Sequence, residues 1–268
     1  MSGQDVSSGG ALLRSRVADL IARADRGVPC AGPFLSEGEQ ELVLSLAGRG
    51  PRSPLLLWGG YPDAERKKAF FLPERFRPAP EEGINAFLEE AFRSPLAFLS
   101  LEGSGYRSLS HRDWLGAVLA LGIERDAIGD VRTVGDRAAL LVCERTVAGL
   151  IGEELSRVGA DAVRVAELSA GEWEASVPAR EYTLCSDTVP SARLDAVVGS
   201  LCRLAREKAK AAVAGGNVRV GGLVCEKPDR TVCEGEILSI RGSGKFEILS
   251  LSEQNKKGRY RLLARQYR

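Results

Sequence analysis

A chain of 268 residues with 44% apolar content can bury more than one core, and its formal net charge of +1 favours no class of partner by itself. No apolar run approaches the roughly 18 residues that a membrane helix needs and no secretory leader is evident, so a cytoplasmic chain with reduced thiols is expected. The charge is unevenly spread: residues 186–268 hold 16 Lys and Arg against 9 Asp and Glu, and the remainder holds 21 against 27. A basic C-terminal segment behind an acidic body is the asymmetry expected when one domain meets phosphates.

Residues 1–10 read as an irregular start. An N-terminal α+β domain is expected over 11–80. Leu12, Leu13, Val17, Leu20 and Ile21 recur at helical spacing, and Ser36 with Glu39 forms a capping box ahead of Leu42, Val43 and Leu46. Leu55-Leu56-Leu57-Trp58, bounded by Pro54 and Gly59-Gly60, reads as a buried strand. The segment from Gly59 to Lys68 is expected to turn into a helix with Asp63 near its start, and a Pro-punctuated stretch from Pro73 to Pro80 marks a boundary.

A middle domain is expected over 81–175. A connecting helix (84–92) leads to a strand (96–101) and an amphipathic helix over 110–121 with Ser110 as its cap. Strands at 128–134 and 138–143 are joined by Gly135-Asp136, and a helix (146–158) and a strand (162–168) follow. This β-α-β-β-α-β order predicts the ferredoxin-like, RRM-like split arrangement, a four-stranded antiparallel sheet with two helices on one face. An RRM stacks bases on aromatics of its central strands, but here only Phe98 occupies such a strand, so base stacking on this sheet is not expected. RNA contact through loops and a purely structural role both stay open.

The last domain, 186–268, begins with two helical stripes, Leu194, Val197, Val198 and Leu201, then Leu204, Ala205, Ala209, Ala212 and Val213. Arg203, Arg206 and Lys210 fall at i, i+3 and i+7 and are expected on one exposed side of the second helix. Arg219 alternates with Val218 and Val220, and Arg241 and Lys245 flank Gly242-Ser243-Gly244. The spacing from Ala209 through Gly216, Val218 and Val220 to Gly221-Gly222 resembles the S4 domain, a small RNA-binding module. Gly221 stands where that family often has Asn, and Asn217 where it often has a basic residue.

Across separated stretches the chain is similar to the YlmH family of bacterial S4 proteins. The stretches are Gly59-Gly60-Tyr61-Pro62-Asp63-Ala64-Glu65-Arg66-Lys67, Leu109-Ser110-His111-Arg112-Asp113-Trp114-Leu115-Gly116-Ala117, Leu121-Gly122-Ile123, Ile128-Gly129-Asp130 and the C-terminal module. The resemblance implies a non-catalytic RNA-binding factor on the large ribosomal subunit, contacting rRNA, with tRNA as a further expected contact, in ribosome-associated quality control.

The RNA contacts are expected at Arg193, Arg203, Arg206, Lys208, Lys210, Arg219, Arg241 and Lys245. No cofactor or metal is expected: Cys30, Cys143, Cys185, Cys202, Cys225 and Cys233 show no ligand spacing, and His111 is the sole histidine. Ser110-His111-Arg112-Asp113 mixes nucleophile, base and acid types, yet neighbours on a helix start do not face one another, and a cap explains them better. The alternatives are an RNA-modifying, pseudouridine-synthase-like enzyme with Asp130 or Asp136 in its site, and an adaptor. The adaptor would dock a protein partner on an apolar patch around Trp58, Tyr61, Phe70 and Phe71.

Overall fold

The computed structural model describes residues 3–50, 52–178, 181–254 and 258–267. The chain divides into two compact units, Met1–Pro178 and Ala179–Arg268. The boundary expected at residue 80 falls inside the first unit.

That unit opens with helix α1 (Gly3–Asp25), strand β1 (Cys30–Leu35), helix α2 (Glu37–Ala47) and strands β2 (Leu55–Trp58) and β3 (Lys67–Phe71). Because α1 begins at Gly3, most of the expected irregular start is helical; once a turn has nucleated, each added residue gains a hydrogen bond. Residues 1 and 2 lie outside the described residues. Ser36 caps α2 as expected, its N–H and hydroxyl donating to the Glu39 carboxylate at 2.8 and 2.6 Å.

Residues 59–66 do not enter a helix; they form an irregular loop, and the chain continues into β3. β3 lies between β1 and β2 and is antiparallel to both. A helix there would leave the facing backbone groups of β1 and β2 unpaired, and it would expose Phe70 and Phe71, which are fully buried.

The unit continues with α3 (Ile84–Phe92), β4 (Leu96–Gly103), α4 (His111–Leu119), β5 (Ile128–Val134), β6 (Ala138–Glu144), α5 (Arg145–Glu154), β7 (Arg157–Val158), β8 (Asp161–Leu168) and α6 (Ala170–Ser176). Its strands form an antiparallel sheet of order β5-β6-β4-β8-β7. The helix expected to run to residue 158 stops at Glu154, and Arg157 and Val158 pair instead with Ala162 and Asp161 in a tight hairpin. On one face Ala97, Leu99 and Leu101 pack under Trp114 and Val118 of α4 and Ile151 of α5.

The opposite face is covered as well. Phe98, Leu140 and Val142 share a core with Phe34, Tyr61, Phe70 and Trp173. The Trp173 ring stacks on Phe98 at 4.9 Å between centroids, and its indole N–H donates to the Gly60 carbonyl at 3.0 Å. One continuous core joins the two sheets, which is why no boundary exists near residue 80.

The second unit contains β9 (Tyr182–Val189), α7 (Leu194–Leu201), α8 (Arg206–Ala214), β10 (Val218–Val220), β11 (Leu223–Val224), β12 (Ile237–Ile240), β13 (Gly244–Gln254) and β14 (Tyr260–Tyr267). Its sheet has the order β11-β10-β12-β13-β14-β9. Val197 and Val198 of α7 and Ala209 and Val213 of α8 cover one face, meeting Val218, Leu238, Phe246 and Ile248. Gly221 and Gly222, at φ 55° and 78°, turn β10 into β11 in two residues; such a primed turn needs φ above zero at both positions. Among the described residues no helix is long and apolar enough to cross a membrane.

Candidate nucleic-acid interface

The start of α7 is clamped by the segment 228–232. The Leu194 and Asp195 N–H groups donate to the Arg230 and Pro228 carbonyls at 2.8 and 3.0 Å, and the Val232 N–H donates to Ala192. Arg193 forks onto Asp195, its Nε and Nη2 donating to the two carboxylate oxygens at 3.1 and 3.0 Å. Asp195 is 1% exposed, and the Arg193 hydrogen bonds hold its carboxyl below the usual range against the opposing effect of burial. Arg193 is therefore engaged with Asp195 before it meets any partner.

Arg206, Lys208 and Lys210 are exposed on α8. Arg206 and Lys210 lie one turn apart on the same side, with Lys208 further round the solvent arc. The Arg206 charge also helps keep Asp195 ionised, which ties the start of α8 to that of α7. Arg203 is not on the helix as expected. It sits in the turn before it with φ 53°, because the short connection between α7 and α8 requires a left-handed residue. Its side chain is exposed.

Arg219 stands exposed between buried Val218 and Val220, as the alternation predicts. The Arg241 N–H donates to the Asn217 carbonyl at 2.9 Å, which brings the β12–β13 turn beside the chain leaving α8. Lys245, half-buried, lies opposite Ser239, which lies opposite Arg219. Six of the eight expected contacts thus fall into two sets. Arg203, Arg206, Lys208 and Lys210 are on the helix side, and Arg219 and Lys245 are on the other face of the sheet. Sequence reading missed Tyr182, Arg265 and Tyr267 on that second face; the period-two pairs Tyr182/Leu184 and Arg265/Tyr267 were the available signal.

In the first unit the candidate catalytic groups have structural partners. Ser110 and Asp113 form the expected cap: the Ser110 N–H and hydroxyl donate to Asp113 at 2.9 and 2.7 Å. Asp130 accepts from the Tyr61 hydroxyl at 2.7 Å, the Glu65 N–H at 2.7 Å and the Arg66 N–H at 3.0 Å. Arg66 reaches the Ile128 and Phe34 carbonyls at 3.0 and 2.9 Å. Burial lowers the pKa of Arg66, and burial with the neighbouring Arg66 charge lowers that of Arg125 to about 10. Burial, reinforced by Asp130, pushes the Tyr61 hydroxyl up. Residues 59–67 and 128–130, far apart in sequence, meet in this one knot.

A polar cleft of about 400 Å³ opens beside Glu102, Ser104, Arg137 and Arg164. Near it the buried Asp161 accepts from the Ser104 hydroxyl and, at 3.0 Å, from the Arg107 N–H, and these bonds hold its carboxyl low. The apolar patch expected of an adaptor is absent at the residues named for it: Tyr61, Phe70 and Phe71 are core, and half-buried Trp58 donates to Asn85 at 2.7 Å.

A family profile described as "Putative RNA-binding domain in YlmH" matches residues 96–172. Among solved structures, "Cell division protein ylmH from Streptococcus pneumoniae" matches 64% of this chain and 95% of its own, with a TM-score of 0.45 and 19% identity. Over 229 residues the chain is 31% identical to "Ribosome-associated protein quality control protein P2" of Bacillus subtilis (strain 168). That alignment covers 85% of this chain and 84% of the relative, so the chain belongs to the YlmH family.

Proposed function

We propose that this chain is a non-catalytic RNA-binding protein that binds structured rRNA on the large ribosomal subunit, with tRNA beside it, in ribosome-associated quality control. In this reading the second unit is an S4-type module, and strands β4, β5, β6 and β8 with α4 and α5 are a ferredoxin-like, RRM-like arrangement built into the first unit. The observation that carries it is the set of exposed cations Arg203, Arg206, Lys208 and Lys210, projecting from a close-packed helix pair in the basic part of the chain. Arg193 and Arg241 extend the contact, and Arg219 and Lys245 offer cations on the other face of the sheet. Membership of the YlmH family and the name of the Bacillus subtilis relative support it. Because Trp173 covers Phe98, base stacking on this sheet has no part in the reading, and its loops or a purely structural role are the two alternatives for it.

An enzyme of the pseudouridine-synthase kind would need a reactive carboxylate in an accessible pocket. Asp130 is consumed by three donors, and both oxygens of Asp161 near the polar cleft are taken, one by the Ser104 hydroxyl and one by the Arg107 N–H, so the non-catalytic reading is preferred. Sedimentation of the endogenous protein through sucrose gradients tests the proposal. Comigration with large subunits at low salt, lost at high salt, is the expected result. Absence from every ribosomal fraction, at low salt and under translational stress, would overturn it.

A further inference from the structure

We propose that the helix-free face of the C-terminal sheet is a second RNA site, a platform for unpaired bases; this rests on the reading of the second unit as RNA-binding. The strands of this unit bury one set of alternate residues under α7 and α8 and turn the other set to solvent. Register places Arg219, Ser239, Lys245, Tyr267 and Tyr182 in a single row across β10, β12, β13, β14 and β9. At ordinary strand spacing the row is about 19 Å long. In the adjoining row Glu247, Arg265 and Leu184 are successive cross-strand partners.

The tyrosine end is organised around Arg265. Its guanidinium lies 5.6 Å from the Tyr182 ring centroid and 5.4 Å from that of Tyr267. Glu247 fixes it, accepting its Nε–H at 2.7 Å and also bonding the Tyr267 hydroxyl. This cation and its aromatic neighbours are thus held in place before any ligand arrives. Tyr182 is nevertheless 53% exposed and Leu184 59% exposed, on a strand face where water favours small polar side chains.

Flat rings beside a guanidinium, continued along the row by Lys245 and Arg219, provide what a single strand requires. Bases stack on the rings, and the phosphates follow the cations. Glu247 is the one acidic group in the two rows, so the positive charge prevails. Duplex RNA keeps its bases stacked inside and cannot use such rings, so the face is matched to an unpaired segment rather than a helix.

The test uses the full chain and fluorescence anisotropy with two labelled probes, an oligouridylate and a blunt RNA hairpin. Tyr182→Ala is expected to weaken oligouridylate binding at least about five-fold, the lower end for losing one stacked base, and to leave hairpin binding unchanged. Tyr182→Phe, which keeps the ring, is expected to bind as wild type. Arg206→Ala with Lys208→Ala should show the reverse preference, losing the hairpin first. Wild-type oligouridylate affinity in Tyr182→Ala, with hairpin binding intact, overturns the platform and leaves the RNA-binding reading standing. Failure of the wild-type chain to bind either probe overturns both. Loss of ribosome cosedimentation in Tyr182→Ala without loss of oligouridylate affinity assigns the face to a protein partner and also overturns the platform.

Discussion

Asp130 shows how a single carboxylate organises the first unit. It collects three donors from the 61–66 loop, and around it the cations Arg66 and Arg125 are drawn out of water. Asp130→Ala removes one anion from beside those cations and leaves two loop N–H groups without their acceptor, and it is expected to destabilise the chain by about 3–5 kcal/mol. A urea midpoint equal to that of the wild type would show that the loop needs no such anchor. Gly59 belongs to the same knot: a Cβ there would lie 2.4 Å from the Arg66 carbonyl oxygen and 2.5 Å from the Ala64 Cβ. Asp195 makes a different prediction. Its folded carboxyl titrates below the ordinary 3.8, so its contribution is full above that value and is lost as pH falls through the lower folded value. Stability of the wild type is expected to drop on acidification below about pH 4, and Asp195→Asn is expected to lose less over the same window while being less stable at neutral pH. Acid titration of the denaturation midpoint checks both. The Asp130 partnerships could not be read from the sequence, because they join residues that only the fold brings together; Arg193 and Asp195 lie two residues apart, and their fork depends on how the start of α7 is held.

At the scale of elements, those with local instructions were legible. α2 and α4 announce themselves by Ser36/Glu39 and Ser110/Asp113, and their capping boxes form as written. β3 did not, since Lys67-Lys68-Ala69-Phe70-Phe71 lacks alternation and takes its conformation from the strands on either side. Arg203 failed for a related reason: helical spacing assigned it to α8, whereas the turn geometry removed it. Arg206 and Lys208 project from α8 with exposed side chains, outside the core that holds the helix to the sheet. Arg206→Ala with Lys208→Ala is accordingly expected to keep the fold and to lower the thermal midpoint only slightly, through the Arg206 charge near Asp195. The slope of log affinity against log salt should fall by about 0.7–0.9 for each phosphate that is no longer neutralised. An unchanged slope with structured rRNA fragments would remove both residues from the interface.

At the scale of the whole molecule, the decisive feature of the first unit is the layer over its larger sheet. The order β5-β6-β4-β8 follows from a pattern visible in the sequence, but the burial of Phe98 under Trp173 does not, because the Trp lies beyond the last strand and its role depends on where α6 returns. For the same reason the boundary at residue 80 was misread: prolines signal a break in regular structure, not in packing. Trp173→Ala removes the fully buried ring and its bond to Gly60 and is expected to cost about 3–5 kcal/mol in urea unfolding of the first unit. Retained stability would mean that the two sheets hold together without it.

The strand order of the second unit also sets a timetable. β9 is the first of its strands to be made, and its one partner in the sheet is β14, the last. During synthesis at roughly 5–20 residues per second, α7, α8 and the β10–β13 ladder can form while β9 still waits with its backbone unpaired. Closing that long loop is entropically unfavourable until β14 supplies its ladder of bonds. A chain interrupted before residue 260 therefore exposes a strand edge open to pairing with other copies, and only a chain carried through β14 can hide it.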